Sequence, residues 1–221
     1  MRLRRKFRSR RGQSVVEFAL ILPVIMFLLL GMIEMGFAIN HNTSMVTATR
    51  QGARVGSELV DGNKRDGKGG ITTPGSTDVD TQIIAAVQGV LISPGSPVDI
   101  SQVQTIQIFL ATDAGAISGT FVNTWIPAYD ANHLPNGPAI PGSVPTAYLS
   151  FARKPLDIGN WKPETRSGVS TAQSIGVRIT YTYKFLTPLG SLIKALGGSL
   201  FGSGQITMSD QTIMAMEPPT P

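Results

Sequence analysis

The stretch whose reading decides the architecture is residues 1–33, MRLRRKFRSRRGQSVVEFALILPVIMFLLLGMI. Seven basic residues (Arg2, Arg4, Arg5, Lys6, Arg8, Arg10 and Arg11) precede Gly12, a lone acid stands at Glu17, and Phe18–Ile33 then runs for 16 residues without a charge. Extending the run back to Val15 gives 19 residues with Glu17 included, close to the roughly 20 residues of helix that a bilayer core requires. The basic cluster orients such a segment with its N-terminus in the cytoplasm and everything after about Asn40 outside. Pro23 is compatible with a span, because membrane helices tolerate proline where neighbouring groups re-satisfy the backbone.

Charge elsewhere supports this division. The chain of 221 residues carries 19 Lys/Arg and 14 Asp/Glu, a formal charge of +5. With seven of the basic residues before Gly12, the remainder has 12 against 14 acids, so the basic balance belongs to the leader and gives no reason to expect a nucleic-acid partner. The absence of cysteine excludes disulfides, thiolate chemistry and Cys-ligated metal sites. The competing account of the N-terminus is a secretory signal peptide cleaved after Gly36-Phe37-Ala38. A signal core is usually about 7–15 residues, shorter than this one, and Glu34 stands just before the candidate cut.

Beyond the span, His41–Val60 lacks proline and places Ala48, Gly52 and Gly56 four residues apart, on one helical stripe. Arg54 and Glu58 are i,i+4 neighbours in the weaker order, base first. Ser14–Val60 therefore reads as one nearly continuous helix, about 70 Å long at 1.5 Å per residue. The small stripe suits close packing against another helix, or an amphipathic helix lying on its own head domain.

The residues Arg11-Gly12-Gln13-Ser14-Val15-Val16-Glu17-Phe18-Ala19, with Leu20–Gly31, Glu34 and Ala48-Thr49-Arg50-Gln51-Gly52-Ala53-Arg54, resemble the TadE/TadG-like proteins, minor pilins or pseudopilins of the tight-adherence (Flp) pilus system. The resemblance is dense over Arg11–Val60 and thin at Gln205–Glu217, which is similar to the terminal strand of such proteins; the middle of the chain carries no motif that aligns. It implies that an inner-membrane prepilin peptidase cuts after Gly12, making Gln13 the first mature residue and Glu17 the fifth. Glycine suits such a site because it adopts an extended backbone without steric penalty. A carboxylate in an apolar run is costly unless paired, and cleavage creates a cationic amine at Gln13. The resemblance thus implies an assembly role for Glu17, neutralising the amine of a neighbouring subunit. Glu34, at the outer end of the span, is expected to sit among headgroups.

The rest of the chain reads as an α+β head with an antiparallel sheet, pilin-like in arrangement. A leader at 1–12, the long helix at 13–60 and a linker at 61–78 precede a head at 79–221. The linker segment Asp61–Gly70 has the wrong spacing for a calcium loop, and Lys64-Arg65 would repel a cation. Val79–Leu91 places Ile83, Ile84, Val87, Val90 and Leu91 at helical spacing. Gln102–Leu110, Ala172–Leu186 and Gln205–Met216 read as strands, the second with Ile175, Val177, Ile179, Tyr181, Tyr183 and Phe185 on one face. Pro188 ends that strand, and Leu189–Phe201 reads as an apolar turn or short helix. Residues 112–168, dense in Pro and Gly, read as an insertion in which Trp125, Tyr129, Tyr148 and Trp161 cover the sheet, the alternative being an adhesive surface.

Nothing in the sequence calls for catalysis. His41 and His133 are not at ligand spacing to each other or to an acid, so no metal site is expected. There is no nucleophile-elbow motif and no phosphate-binding glycine loop. We expect no enzymatic activity and no cofactor. The expectation is a single-pass protein of the inner membrane, head outside, assembled into or assisting a pilus and reaching the cell surface with it. Its partners would be the prepilin peptidase, other pilin or pseudopilin subunits, the inner-membrane assembly platform and membrane lipid. The alternative is a permanently anchored, unprocessed envelope protein with a ligand- or surface-binding head.

Overall fold

A computed structural model describes residues 11–59, 64–65, 71–73, 78–140, 143, 146–154, 161–162, 166, 173–191 and 204–216. Most of the basic leader, most of the 61–78 linker and residues 192–203 of the apolar segment lie outside the described residues. In chain order the elements are α1 (Arg11–Glu58), β1 (Lys64–Arg65), β2 (Ile71–Thr73), α2 (Asp78–Leu91), a 3-10 turn (Ile100–Gln102), β3 (Val103–Ala111), β4 (Ile117–Pro127), β5 (Phe151–Arg153), β6 (Ser174–Lys184) and β7 (Gln205–Ala215). The chain divides into two compact units. One joins Met1–Ala38 with Lys184–Gln205, and the other joins Ile39–Tyr183 with Ile206–Pro221.

The first unit is dominated by the N-terminal part of α1, a helix of 48 residues with Pro23 inside it. Proline removes one backbone donor and crowds the carbonyl four residues back, yet the element is continuous through it.

The second unit is built on an antiparallel sheet of order β5-β4-β3-β6-β7. Ile106 of β3 sits between Trp125 of β4 and Ile179 of β6, and Ile108 between Asn123 and Val177. On β6 the alternation is clean: Ile175, Val177, Ile179, Tyr181 and Tyr183 are all buried, with Arg178, Thr180 and Thr182 between them only half-buried. The amphipathic α2 buries Val79, Ile83, Ile84, Val87 and Leu91 on one side. On the opposite face of the sheet, Phe109 is fully buried and its ring occupies the place a Cβ would take at Gly176. Arg178 lies over that ring, 5.2 Å from its centroid. Glycine is required at 176 by this close approach.

Two features differ from the sequence reading. Residues 117–127, expected to open the Pro/Gly-rich insertion, form β4, an interior strand of the sheet, and Phe151–Arg153 add β5 at its edge. The physical reason is that β4 (ISGTFVNTWIP) carries Gly119 at positive φ, a terminal Pro127, and buried polar Asn123 and Thr124 where an interior strand is normally apolar. Between β4 and β5 the chain makes an excursion held by the isolated bridges Tyr129↔Pro135 and Ala139↔Tyr148. Of its expected sheet-covering aromatics, Trp125 and Trp161 are buried, whereas Tyr148 is 52% exposed.

Candidate functional site

Gly12, Gln13 and Glu17 lie in the first turns of α1. A Cβ at Gly12 would meet nothing within 4 Å, so no packing demand explains glycine there. The Gln13 amide donates to Glu17 Oε1 at 3.0 Å, an exposed i,i+4 pair on one helical face. From Val15 to Phe37 the large apolar side chains other than the half-buried Leu30 are exposed, with Leu20 at 73% and Met32 at 70%. Leaving a Leu-sized side chain in water forgoes roughly 1.5–3 kcal/mol relative to burying it. Repeated along the helix, that cost makes water an unfavourable surrounding. The helix is long and apolar enough to cross a membrane, and the structure buries none of its most apolar window. Such a surface suggests a membrane anchor.

Glu34, expected among headgroups at the outer end of the span, has partners within the chain. It is 5% exposed, and its carboxylate accepts from the backbone N–H of Leu186 at 3.1 Å and of Thr187 at 2.9 Å, and from the Thr187 hydroxyl at 2.5 Å. A carboxylate removed from solvent needs such donors, and charge-assisted bonds of this kind are stronger than neutral ones. The partners lie 152 and 153 residues further along the chain, which is why the sequence alone gives no sign of them.

The small-residue stripe faces the chain's own head. Ala48 is fully buried. A Cβ at Gly52 would lie 2.5 Å from Val87 Cγ2 and 3.4 Å from Val177 Cγ1. One at Gly56 would lie 2.6 Å from Ile175 Cδ1 and 3.1 Å from Ile83 Cδ1. These glycines bring the backbone of α1 against α2 and β6. Beside them the Thr49 hydroxyl donates to Asp210 of β7 at 2.6 Å, a polar tie between the same helix and the last strand.

Two buried polar clusters within the head went unread in the sequence. Arg166 and Asp80 form an ion pair at 2.6 Å, with the Arg166 side chain fully buried and stacked over Trp161 at 4.5 Å. Asn123 joins them, donating to Asp80 Oδ2 at 2.6 Å and to the Trp161 carbonyl at 2.9 Å, and accepting from the Trp161 N–H at 3.0 Å. The second cluster centres on Tyr181, whose hydroxyl donates to Gln102 at 2.9 Å and lies 3.2 Å from His41 Nδ1. Burial pushes the Tyr181 phenol above the ordinary tyrosine value. His133, by contrast, is exposed in a surface turn. Among the described residues, no group of three or more His, Cys, Asp or Glu is placed to hold a metal ion. The first cluster ties Trp161 and Arg166 to α2 and β4, and the second joins α1, the 3-10 turn and β6; the chemistry of both is that of fixing distant segments together.

Set beside known proteins, residues 12–54 match the family model described as TadE-like protein. No curated protein and no solved structure matches the chain. The match begins at the glycine of the candidate processing site and takes in the whole exposed apolar run.

Proposed function

We propose that this chain, which carries a TadE-like domain at residues 12–54, is a membrane-anchored, prepilin-like minor subunit that is processed after Gly12 and serves in assembly of a Tad/Flp-type pilus. The observation that carries the proposal is the coincidence of that match with an unburied apolar helix bearing Gly12, Gln13 and Glu17 at its start. In this reading the leader stays in the cytoplasm and the head stands outside.

Cleavage requires the first turn of α1 to open. Gly12 favours this, since glycine weakens a helix by about 1 kcal/mol relative to alanine. The cut replaces an amide by a cationic amine at Gln13. Glu17, one turn away, is engaged among the described residues through Oε1 to the Gln13 side chain, which leaves its other oxygen for a cation. In lipid an unpaired carboxylate is expensive, so the amine of a neighbouring subunit is its natural partner and sets the stagger between helices. A prepilin peptidase, other pilin subunits and the assembly platform are the partners this implies.

The test is the sheared-filament and membrane fractions of cells that make the wild-type chain, the Glu17→Leu variant, or none. The expected result is that Glu17→Leu inserts normally but is absent from the assembled fraction, and that cells without the chain make few or no filaments. Normal incorporation of Glu17→Leu contradicts the pairing role, and normal filaments without the chain contradict the assembly role.

A further inference from the structure

The turn that follows β6 belongs to the same compact unit as the apolar part of α1. Its base is fixed twice. The Phe185 N–H donates to the Gly204 carbonyl at 3.0 Å, closing the two ends of the 185–204 segment on each other. Glu34 then takes the N–H groups of Leu186 and Thr187. Within the turn Leu189 is buried and Gly190 packs on the Phe185 ring, where a Cβ would lie 2.7 Å from Cδ2. Leu186, however, points away and is 62% exposed.

Two observations choose the occupant of that exposed surface. Glu34 directly follows the uncharged run Phe18–Ile33, so the turn is held at the level where the anchor leaves the hydrocarbon. The sequence from 185 to 204 (FLTPLGSLIKALGGSLFGSG) has eight Leu, Ile or Phe and a single charge, Lys194. A connection running through water is normally polar, whereas apolar residues with an isolated lysine suit the boundary between headgroups and acyl chains.

We propose that the turn Phe185–Ser191 is a second membrane contact. Latched to Glu34, it seats Leu186 in the leaflet at the C-terminal end of the apolar run, so that the chain meets the bilayer through a helix and an adjoining turn. The latch also explains how an acid is kept at that depth: its charge is met by backbone donors of the turn and withheld from lipid. This inference rests on reading α1 as a membrane span.

Because the chain has no cysteine, single nitroxide labels can be placed without background. The experiment uses the full-length chain in nanodiscs of phosphatidylcholine and phosphatidylglycerol, labelled singly at Leu22→Cys in the apolar run, Leu186→Cys in the turn, or Leu134→Cys on an exposed head loop. Power saturation compares accessibility to oxygen, which favours lipid, with accessibility to a nickel chelate, which favours water. The expected result is an oxygen-to-nickel ratio several-fold higher at 22 and 186 than at 134, and a several-fold fall at 186 alone when Glu34→Ala is added. A lipid signal at 22 with an aqueous one at 186 overturns the second contact while leaving the anchor standing. Aqueous signals at both positions overturn the anchor and the inference together. Lipid contact at 186 that is indifferent to Glu34→Ala overturns the latch.

Discussion

Two glutamates on one helix are treated differently. Glu17 is exposed, and its described hydrogen bond comes from the Gln13 side chain a turn away. Glu34 is 5% exposed and takes two backbone N–H groups and a hydroxyl from a distant part of the sequence. The same contrast holds for the apolar and small residues of α1. Between Val15 and Phe37 nearly all the large apolar side chains are exposed, whereas Ala48, Gly52 and Gly56 are packed against the head. Where a residue's needs are met inside the chain, its substitution costs stability. Where they are left open, it costs an interaction with lipid or with another molecule. Substitutions in the head should therefore lower stability without touching processing, and substitutions near Gly12 should do the reverse.

The sharpest break in stability is expected at Asp80. Asp80→Ala strands a fully buried guanidinium and the Asn123 amide. Removing one partner of a buried pair costs about 3–5 kcal/mol, which denaturant unfolding of the head signal in detergent would register, while the N-terminus of the mature chain stays unchanged. Next come the two glycines. At Gly52 the new methyl meets Val87, whose β-branched side chain has little freedom on a helix, and overpacking of about 1–3 kcal/mol outweighs the gain of about 1 kcal/mol in helix propensity. At Gly56 the nearest atoms are the flexible ends of Ile175 and Ile83, so Gly56→Ala should stay within about 0.5 kcal/mol of wild type. Equal effects at the two positions would contradict the packing described for the stripe.

A smaller effect concerns pH. Burial holds the Tyr181 phenol, and likewise that of Tyr129, neutral to higher pH than in the unfolded chain. The neutral form is thus favoured by folding. That contribution is complete below the unfolded value of about 10 and is lost as pH rises through the higher folded value. Stability should fall above about pH 10, and Tyr181→Phe should make the fall shallower; a profile that the substitution leaves unchanged would count against it. The smallest change in stability is expected at Glu17→Leu, within about 0.5 kcal/mol as for an exposed site, in the variant for which the proposal expects filament incorporation to be lost.

Much of this architecture is legible in the sequence, because it is written in local periodicity. The apolar run, the 3.6-residue spacing of Ile83, Ile84, Val87 and Leu91, and the strict alternation from Ile175 to Tyr183 each announce their element. β4 is not legible, because Gly119, Pro127 and the buried Asn123 make an interior strand look like a loop. The stripe at Ala48, Gly52 and Gly56 is readable as a packing surface, but not what packs on it. Partners that lie far apart leave no local trace: Asp80 and Arg166 are separated by 86 residues, and Glu34 finds Thr187 only when the chain returns from β6. The N-terminal candidates differ again. Gly12, Gln13 and Glu17 are singled out by the resemblance their order carries, and the roles proposed for them involve other molecules.

The exposed start of α1 is proposed as a processing and assembly signal. The most direct test is mass spectrometry of the chain's N-terminus from native membranes, with and without an active prepilin peptidase. The expected result is a mature chain beginning at Gln13 when the peptidase is active, and an intact basic leader when it is not. A leader retained in both cells would make the protein a permanent anchor, and a chain beginning at Ile39 would make the helix a removed signal; either contradicts the account.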